Sequence, residues 1–161
     1  MKYIKTPYLP NKQVKLVVVD ERVPINIKNI IRAKGIDFIE VPYCKDLYEA
    51  ISSHPDIFIY PSENGVIIAP NLFDKLRTIF DEYKIKYKKG NTILNSTYPN
   101  DIAYNVCRIG NYAIHNFDYT DSAIIESLER NKVKKIHVKQ GYSKCSICIV
   151  SENAIITSDK G

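Results

Sequence analysis

Few arginines, few cysteines and no long apolar run set the first limits on this chain. Arginine supplies only five of the 23 basic residues in 161, although it is the residue that dominates phosphate and base-edge recognition. The 18 lysines are spread along the sequence. Their densest group, Lys84, Lys86, Lys88 and Lys89, alternates with Ile85 and Tyr87, the pattern of a strand with one solvated face. The net charge of +5 is therefore read as a solvated lysine surface, and nucleic acid is not an expected partner. No apolar stretch approaches the length of a bilayer span. The start, Met1 to Pro7, has no apolar run before a small-residue cleavage site. The expectation is a cytoplasmic chain with no membrane partner. Gly-rich phosphate loops, H-E-x-x-H and Gly-x-Ser-x-Gly are all missing, which removes support for the chemistries they carry.

Cysteine is equally sparse. Cys44, Cys107, Cys145 and Cys148 contain a single C-x-x-C spacing, Cys145 to Cys148, with no second pair to complete a zinc site. The residues around it, Ser146 to Val150, are β-forming, whereas a thiol redox centre sits at a helix N-terminus that lowers the thiol pKa. The pair is expected to be reduced and packed in the core, its thiols pointing to opposite faces. No metal and no cofactor is expected.

What is present is an ordinary globular composition, 45% hydrophobic and 25% charged. It suffices for a single domain over residues 1–161, able to bury roughly 70% of its unfolded surface. One segment recurs. Residues 56–71, Asp56 to Asn71, read as strand, turn, strand and the start of a helix. The frame returns 45 residues on, from Asp101 through Gly110 to Asn116. It returns 44 further on, from Cys145 to Asp159, with Ser62-Glu63-Asn64 repeated intact as Ser151-Glu152-Asn153. A period of this size marks one supersecondary unit used several times. The third copy reaches Gly161 where the others continue into a helix, so further C-terminal copies are expected.

Around that frame, Val14 to Val19 reads as a buried strand ending at Asp20. Ile27, Ile30 and Ile31 form a helical stripe that stops at Gly35, and Ile36 to Val41 is the next strand. A short helix is expected over 46–52. After the first hairpin, Asn71 is placed to cap a helix whose face is Leu72, Leu76, Ile79, Phe80 and Tyr83, and a strand follows near 85–89. In the second copy a helix over 120–130 precedes a strand over 135–138. Gly65 and Gly110 stand just past the turns, where a positive φ or a bulge suits glycine; the third copy has Ala154 there.

This frame resembles the pentein fold of the guanidino-group-modifying enzymes, among them arginine deiminases and dimethylarginine dimethylaminohydrolases. The resemblance rests on Asp56 to Ile59 followed by Gly65 to Ile68, and on the stretch from His137 to Cys145, similar to that family's His-x-Lys segment. Overall the chain is most similar to an uncharacterised bacterial family assigned to that fold. The resemblance implies an α/β architecture of repeated hairpin–helix–strand units forming a partial β/α propeller about a central channel. It implies His137 as general acid/base, acidic residues gripping a planar guanidinium, and a cysteine nucleophile. The chain departs from it in two places. Tyr60 and Pro61 stand where acidic acceptors are expected, and the nucleophile belongs to a later repeat, so its role is not transferred to Cys145 or Cys148.

Each candidate also has a plainer reading. His137 shares a strand face with Lys135 and Lys139 and is either a solvated strand histidine or the acid/base. His115 either caps locally or lines the channel mouth, and His54 belongs to a turn. Asp20, followed by Glu21 and Arg22, and Asp159 lie at strand ends, where sites gather but where Asx residues also cap helices. Arg108 either binds a carboxylate or is a solvated turn residue. The expected partner is a guanidine- or carboxylate-bearing small molecule, together with self-association through an exposed sheet edge. Two readings stay open: a binding domain without a full catalytic set, and a hydrolase of guanidine or amidine C–N bonds.

Overall fold

Strands of three to five residues, separated by glycine turns and short helices, build four small sheets in the computed structural model, which describes residues 13–151 and 153–158. In the first, β1 (Leu16–Asp20) runs parallel to β2 (Asp37–Val41). Parallel neighbours need a crossover, and α1 (Ile25–Ala33) supplies it, stopping at Gly35 with φ +69°. Among the described residues the stripe of α1 does not form the packing face that its periodicity suggested. None of its residues is buried, and Ile27 and Ile30 stand exposed.

The second sheet opens differently from the sequence reading. Residues 55–58 form the one-turn helix α2 (Pro55–Phe58) rather than a strand. Pro55 fixes φ for a first helical turn and Asp56 complements the helix dipole there. The hairpin proper is β3 (Ile59–Ser62) against β4 (Gly65–Ile68), with Ser62 opposite Gly65. The chain then passes through α3 (Phe73–Glu82) to β5 (Tyr87–Lys89), parallel to β4. The third sheet has the same order and the same senses: β6 (Cys107–Ile109) antiparallel to β7 (Tyr112–His115), then α4 (Ser122–Arg130), then β8 (Lys134–His137) parallel to β7. After α5 (Ser143–Ser146), β9 (Ile147–Ser151) pairs antiparallel with β10 (Ala154–Thr157), with a register irregularity at Ala154 and Ile155. Gly65 has φ +127°, and a Cβ on it would stand 2.1 Å from the Lys86 carbonyl oxygen. Gly110 has φ +49°. The architecture is thus α/β with several small sheets, and no closed ring of sheets forms among the described residues.

Helices lie across the sheet that precedes them. Ile79 and Tyr83 of α3 face Phe38 and Ile39 of β2 across a cleft, and Tyr83 Oη donates to Asp37 Oδ2 at 2.8 Å. Ala123 and Ser127 of α4 face Val66 and Ile67 of β4 around a space of about 90 Å³. There Lys88 Nζ pairs with Glu126 Oε2 at 2.9 Å. One continuous core joins these layers, with Phe58, Leu76, Phe80, Tyr104 and Ile124 almost fully buried. Asp121, wholly buried, fixes α4 to it. Its Oδ1 accepts from Ala123 N as an N-cap, and its Oδ2 accepts from Asn91 N, Thr92 N and Tyr104 Oη at 2.6–3.0 Å.

Two further expectations are corrected. The helix expected over 46–52 reduces to a 3₁₀ turn, Glu49–Ile51. Asn71 does not cap α3. Its amide donates to Asp46 Oδ2 and Leu94 O and accepts from Leu94 N, so it pins the connection after β5 instead. No helix among the described residues is long and apolar enough to cross a membrane.

Candidate functional site

Just before each hairpin the chain makes a tight turn, and two of these turns meet the third through polar side chains. Asp56 sits in the first turn of α2, half-buried. Asn105, wholly buried, ends the turn before β6. Lys144 and Cys145 belong to α5. Asn105 is the joint. Its Nδ2 donates to Asp56 Oδ2 at 3.0 Å, and its Oδ1 accepts from Lys144 N at 2.9 Å. The Cys145 thiol donates to Asp56 Oδ2 at 2.7 Å and lies 3.2 Å from Asn105 Nδ2. Asp56 Oδ1 takes no hydrogen bond among the described residues, while the Lys144 ammonium lies close enough to feel the carboxylate's charge.

The electrostatics follow from this packing. Loss of solvent at the sulfur comes first, and the hydrogen bond to and charge of Asp56 add to it; together they push the Cys145 thiol up to about 12. The residue as a whole is nevertheless exposed. Burial lowers the Lys144 ammonium from its ordinary value, the nearby Asp56 carboxylate opposing it. A thiol so held is a hydrogen-bond donor at neutral pH and a poor nucleophile. Beside the joint, Tyr142 Oη donates to Asp101 Oδ2 at 2.5 Å and meets Tyr48 Oη at 3.0 Å. Asp101 is buried, and its Oδ1 has no hydrogen-bond partner.

These residues were missed as a site, although the frame carries their signal: Asp56, Asp101 and Cys145 occupy one position, 45 and 44 residues apart. The thiol expectation is corrected. Cys145 lies on a helical turn, and both it and Cys148 are exposed rather than packed in the core. Pulled toward Asp56 and Asn105, the turn before β9 cannot extend the strand as far back as residue 145.

The candidates from sequence fall elsewhere. His137 ends β8, exposed, in register with His115 on β7, and the Phe117 ring lies 6.5 Å from it and 6.2 Å from His115. His115 is no local cap. It is completely buried, with Nε2 at 2.9 Å from Gly141 O and Nδ1 at 2.6 Å from Thr120 Oγ1. Burial depresses it to about 4, so the imidazole is neutral, Nε2–H donates to Gly141 O, and Nδ1 accepts from Thr120. Asp20 is not a neighbour of His137. Arg22 grips it with Nε and Nη2 at 2.9 and 2.7 Å, and His54 Nε2 is 3.8 Å away; the Arg22 hydrogen bonds hold the Asp20 carboxyl below its usual range. Arg108 is not solvated. It is 6% exposed and pairs with Glu63 Oε1 at 2.5 Å, while its Nη1 bonds Gly110 O. The carboxylate it binds is therefore the chain's own, from the turn 45 residues earlier. Tyr60 is fully buried beside Arg108. Asp159 lies outside the described residues. Among those described, no group of three or more His, Cys, Asp or Glu is arranged to hold a metal ion.

The family model described as a family of unknown function (DUF6873) matches residues 18–161, and the chain belongs to that family. No curated protein and no solved structure matches it.

Proposed function

We propose that this member of the family is a pentein-type domain, part of a β/α propeller, that binds a small guanidine- or amidine-bearing molecule and lacks a complete set for hydrolysing it. The propeller reading is supported by the two three-stranded sheets of identical order and sense, and by the hairpin β9–β10 standing in the same frame. The binding reading rests on one observation, the half-buried Asp56 carboxylate, which uses only Oδ2 for Asn105 and Cys145 and leaves Oδ1 without a hydrogen bond among the described residues. A planar cation with paired N–H donors suits such an acceptor. The thiol beside it stays protonated at neutral pH, which favours binding over attack.

A second reading has its own support. A guanidinium seated on Asp56 would neutralise the charge that raises the Cys145 thiol, and an opposite charge nearby favours a thiolate. Substrate could then activate the Cys145 nucleophile, although His137, the acid/base expected from sequence, stands outside this cluster at the end of β8. One experiment separates the two. Calorimetric titration with guanidinium, agmatine and arginine should give saturable binding that Asp56→Asn removes, while citrulline and ammonia release stay at background. Equal binding by the Asp56→Asn variant would end the proposal. Turnover lost in His137→Ala and in Cys145→Ser would establish the hydrolase instead.

A further inference from the structure

A carboxamide, a thiol and a carboxylate share one proton network where the three turns meet. The carboxamide belongs to Asn105, which is wholly buried. The Cys145 sulfur lies 3.2 Å from its Nδ2. Asp56 Oδ2 accepts from both groups, at 2.7 Å from the sulfur and 3.0 Å from the amide nitrogen. The other end of the carboxamide is held as well. Its Oδ1 accepts from the backbone N–H groups of Lys144 and Cys145, at 2.9 and 3.4 Å. Asn105 is thus fixed by its carbonyl oxygen, with a nucleophilic atom beside its nitrogen and a base bridging the two.

We infer that this joint is a self-modification site, at which Cys145 and Asn105 form an internal thioester with loss of ammonia. The Cys145 sulfur bonds to the side-chain carbonyl carbon of Asn105, and its proton passes to Asp56 Oδ2. Negative charge develops on Asn105 Oδ1, which two N–H donors already face. The carbon–nitrogen bond then breaks, and Asp56 returns the proton to the departing nitrogen, which leaves as ammonia. One S–H and one C–N bond are exchanged for one S–C and one N–H bond, nothing is oxidised, and the carboxylate is restored. The thiol is a poor nucleophile toward reagents in solution. Toward Asn105 its base is already on the proton and its target is held beside it, so no free thiolate has to form first. Escape of ammonia into dilute solution draws the exchange forward, and the burial of Asn105 keeps water from the thioester carbonyl. Asp56 ends the step as it began it, so the modification does not depend on the ligand reading, and no ligand enters its test.

The full chain is purified, kept folded at neutral pH, then denatured, alkylated with iodoacetamide and read by intact and peptide mass spectrometry. A species lighter by one ammonia should accumulate with time. In it Cys44, Cys107 and Cys148 are alkylated, Cys145 is not, and the peptides holding Cys145 and Asn105 are joined. Methylamine should open the link, freeing the Cys145 thiol and leaving a methylamide at position 105. Cys145→Ala should abolish the species. Asp56→Asn, which cannot carry the proton, should slow its formation by about tenfold or more; circular dichroism checks that both variants keep their fold, and a smaller effect in the folded variant overturns the inference. The unaltered chain tests it without any variant. Complete alkylation of Cys145 in aged protein of unchanged mass overturns it. So does loss of ammonia from a chain whose Cys145 still alkylates, the mark of an asparagine reacting without the thiol. A link that methylamine leaves intact, as an amide to Lys144 would be, overturns it as well.

Discussion

Replacing Asp56 by asparagine should make Cys145 easier to alkylate, against the ordinary expectation that removing a neighbour from a half-buried thiol changes little. The wild-type thiol is pushed up to about 12. At pH 8 that leaves on the order of one thiolate in 10⁴, where an ordinary thiol near 8.5 has roughly one in four. Each unit recovered raises the thiolate fraction tenfold, but intrinsic nucleophilicity falls with a Brønsted slope of about 0.4–0.5, so the net gain is about threefold per unit. The Asp56→Asn variant would keep the desolvation, the leading cause, and remove the carboxylate charge and its strong acceptor. A return of one to two units corresponds to alkylation about three- to tenfold faster. The assay is iodoacetamide labelling at pH 7–10, read at Cys145 by mass spectrometry, with the exposed Cys148 as internal reference. A wild-type Cys145 that reacts as fast as Cys148 at pH 8, or a variant no faster than wild type, would falsify the assignment of the thiol to Asp56.

Other expectations follow from single groups. Asp121→Ala removes an N-cap worth about 1 kcal/mol and the acceptor shared by the buried Tyr104 hydroxyl and the part-buried Asn91 and Thr92 amides, together about 1–3 kcal/mol, so urea denaturation should show a loss of about 2–4 kcal/mol; a loss under about 1 kcal/mol would refute the role of this carboxylate. His115, depressed by burial to about 4, stabilises the fold as the neutral base. That contribution is complete above about pH 6.5 and is lost as pH falls through 4, amounting to about 3 kcal/mol; His115→Gln should flatten the stability profile across this window, and an unchanged slope would count against it. Gly65→Ala should cost about 2–4 kcal/mol, from a positive φ and a clash with the Lys86 carbonyl, measured by thermal unfolding with Gly35→Ala, open around its Cβ, as the comparison.

The glycines and the helix faces were the most legible parts of the chain. Gly35, Gly65 and Gly110 all have positive φ, which glycine reaches at the least cost, although Lys84 and Lys132 take the same region just after α3 and α4. The stripe Leu72, Leu76, Phe80 is buried as its spacing requires. Periodicity misled where its apolar face meets no neighbour among the described residues, as in α1, since spacing reports an apolar face and not what covers it. Asp56-Ile-Phe reads as strand by β-propensity, and the overriding signal was Pro55 one residue earlier. Polar partners were hidden for a different reason. Arg108 with Glu63, and Asp56 with Cys145, are joined across 45 and 89 residues, and no local window sees them. Only the recurrence, which puts unlike residues at one position of neighbouring units, could have suggested that they meet.

Because the helix that covers a sheet arrives with the following hairpin, no sheet of this chain is finished by its own sequence. Val66 and Ile67 wait for Ala123 and Ser127, about 60 residues further on, so stability is passed along as nearest-neighbour coupling rather than held by each segment. Amide hydrogen exchange of such a molecule is graded along its length. Protection should be deepest where β3–β5 is held between α3 and α4, and exchange fastest in α1 and in β9–β10, which have fewer neighbours among the described residues. Fluctuation in this fold therefore has a direction, and it runs from both ends of the described chain toward the middle.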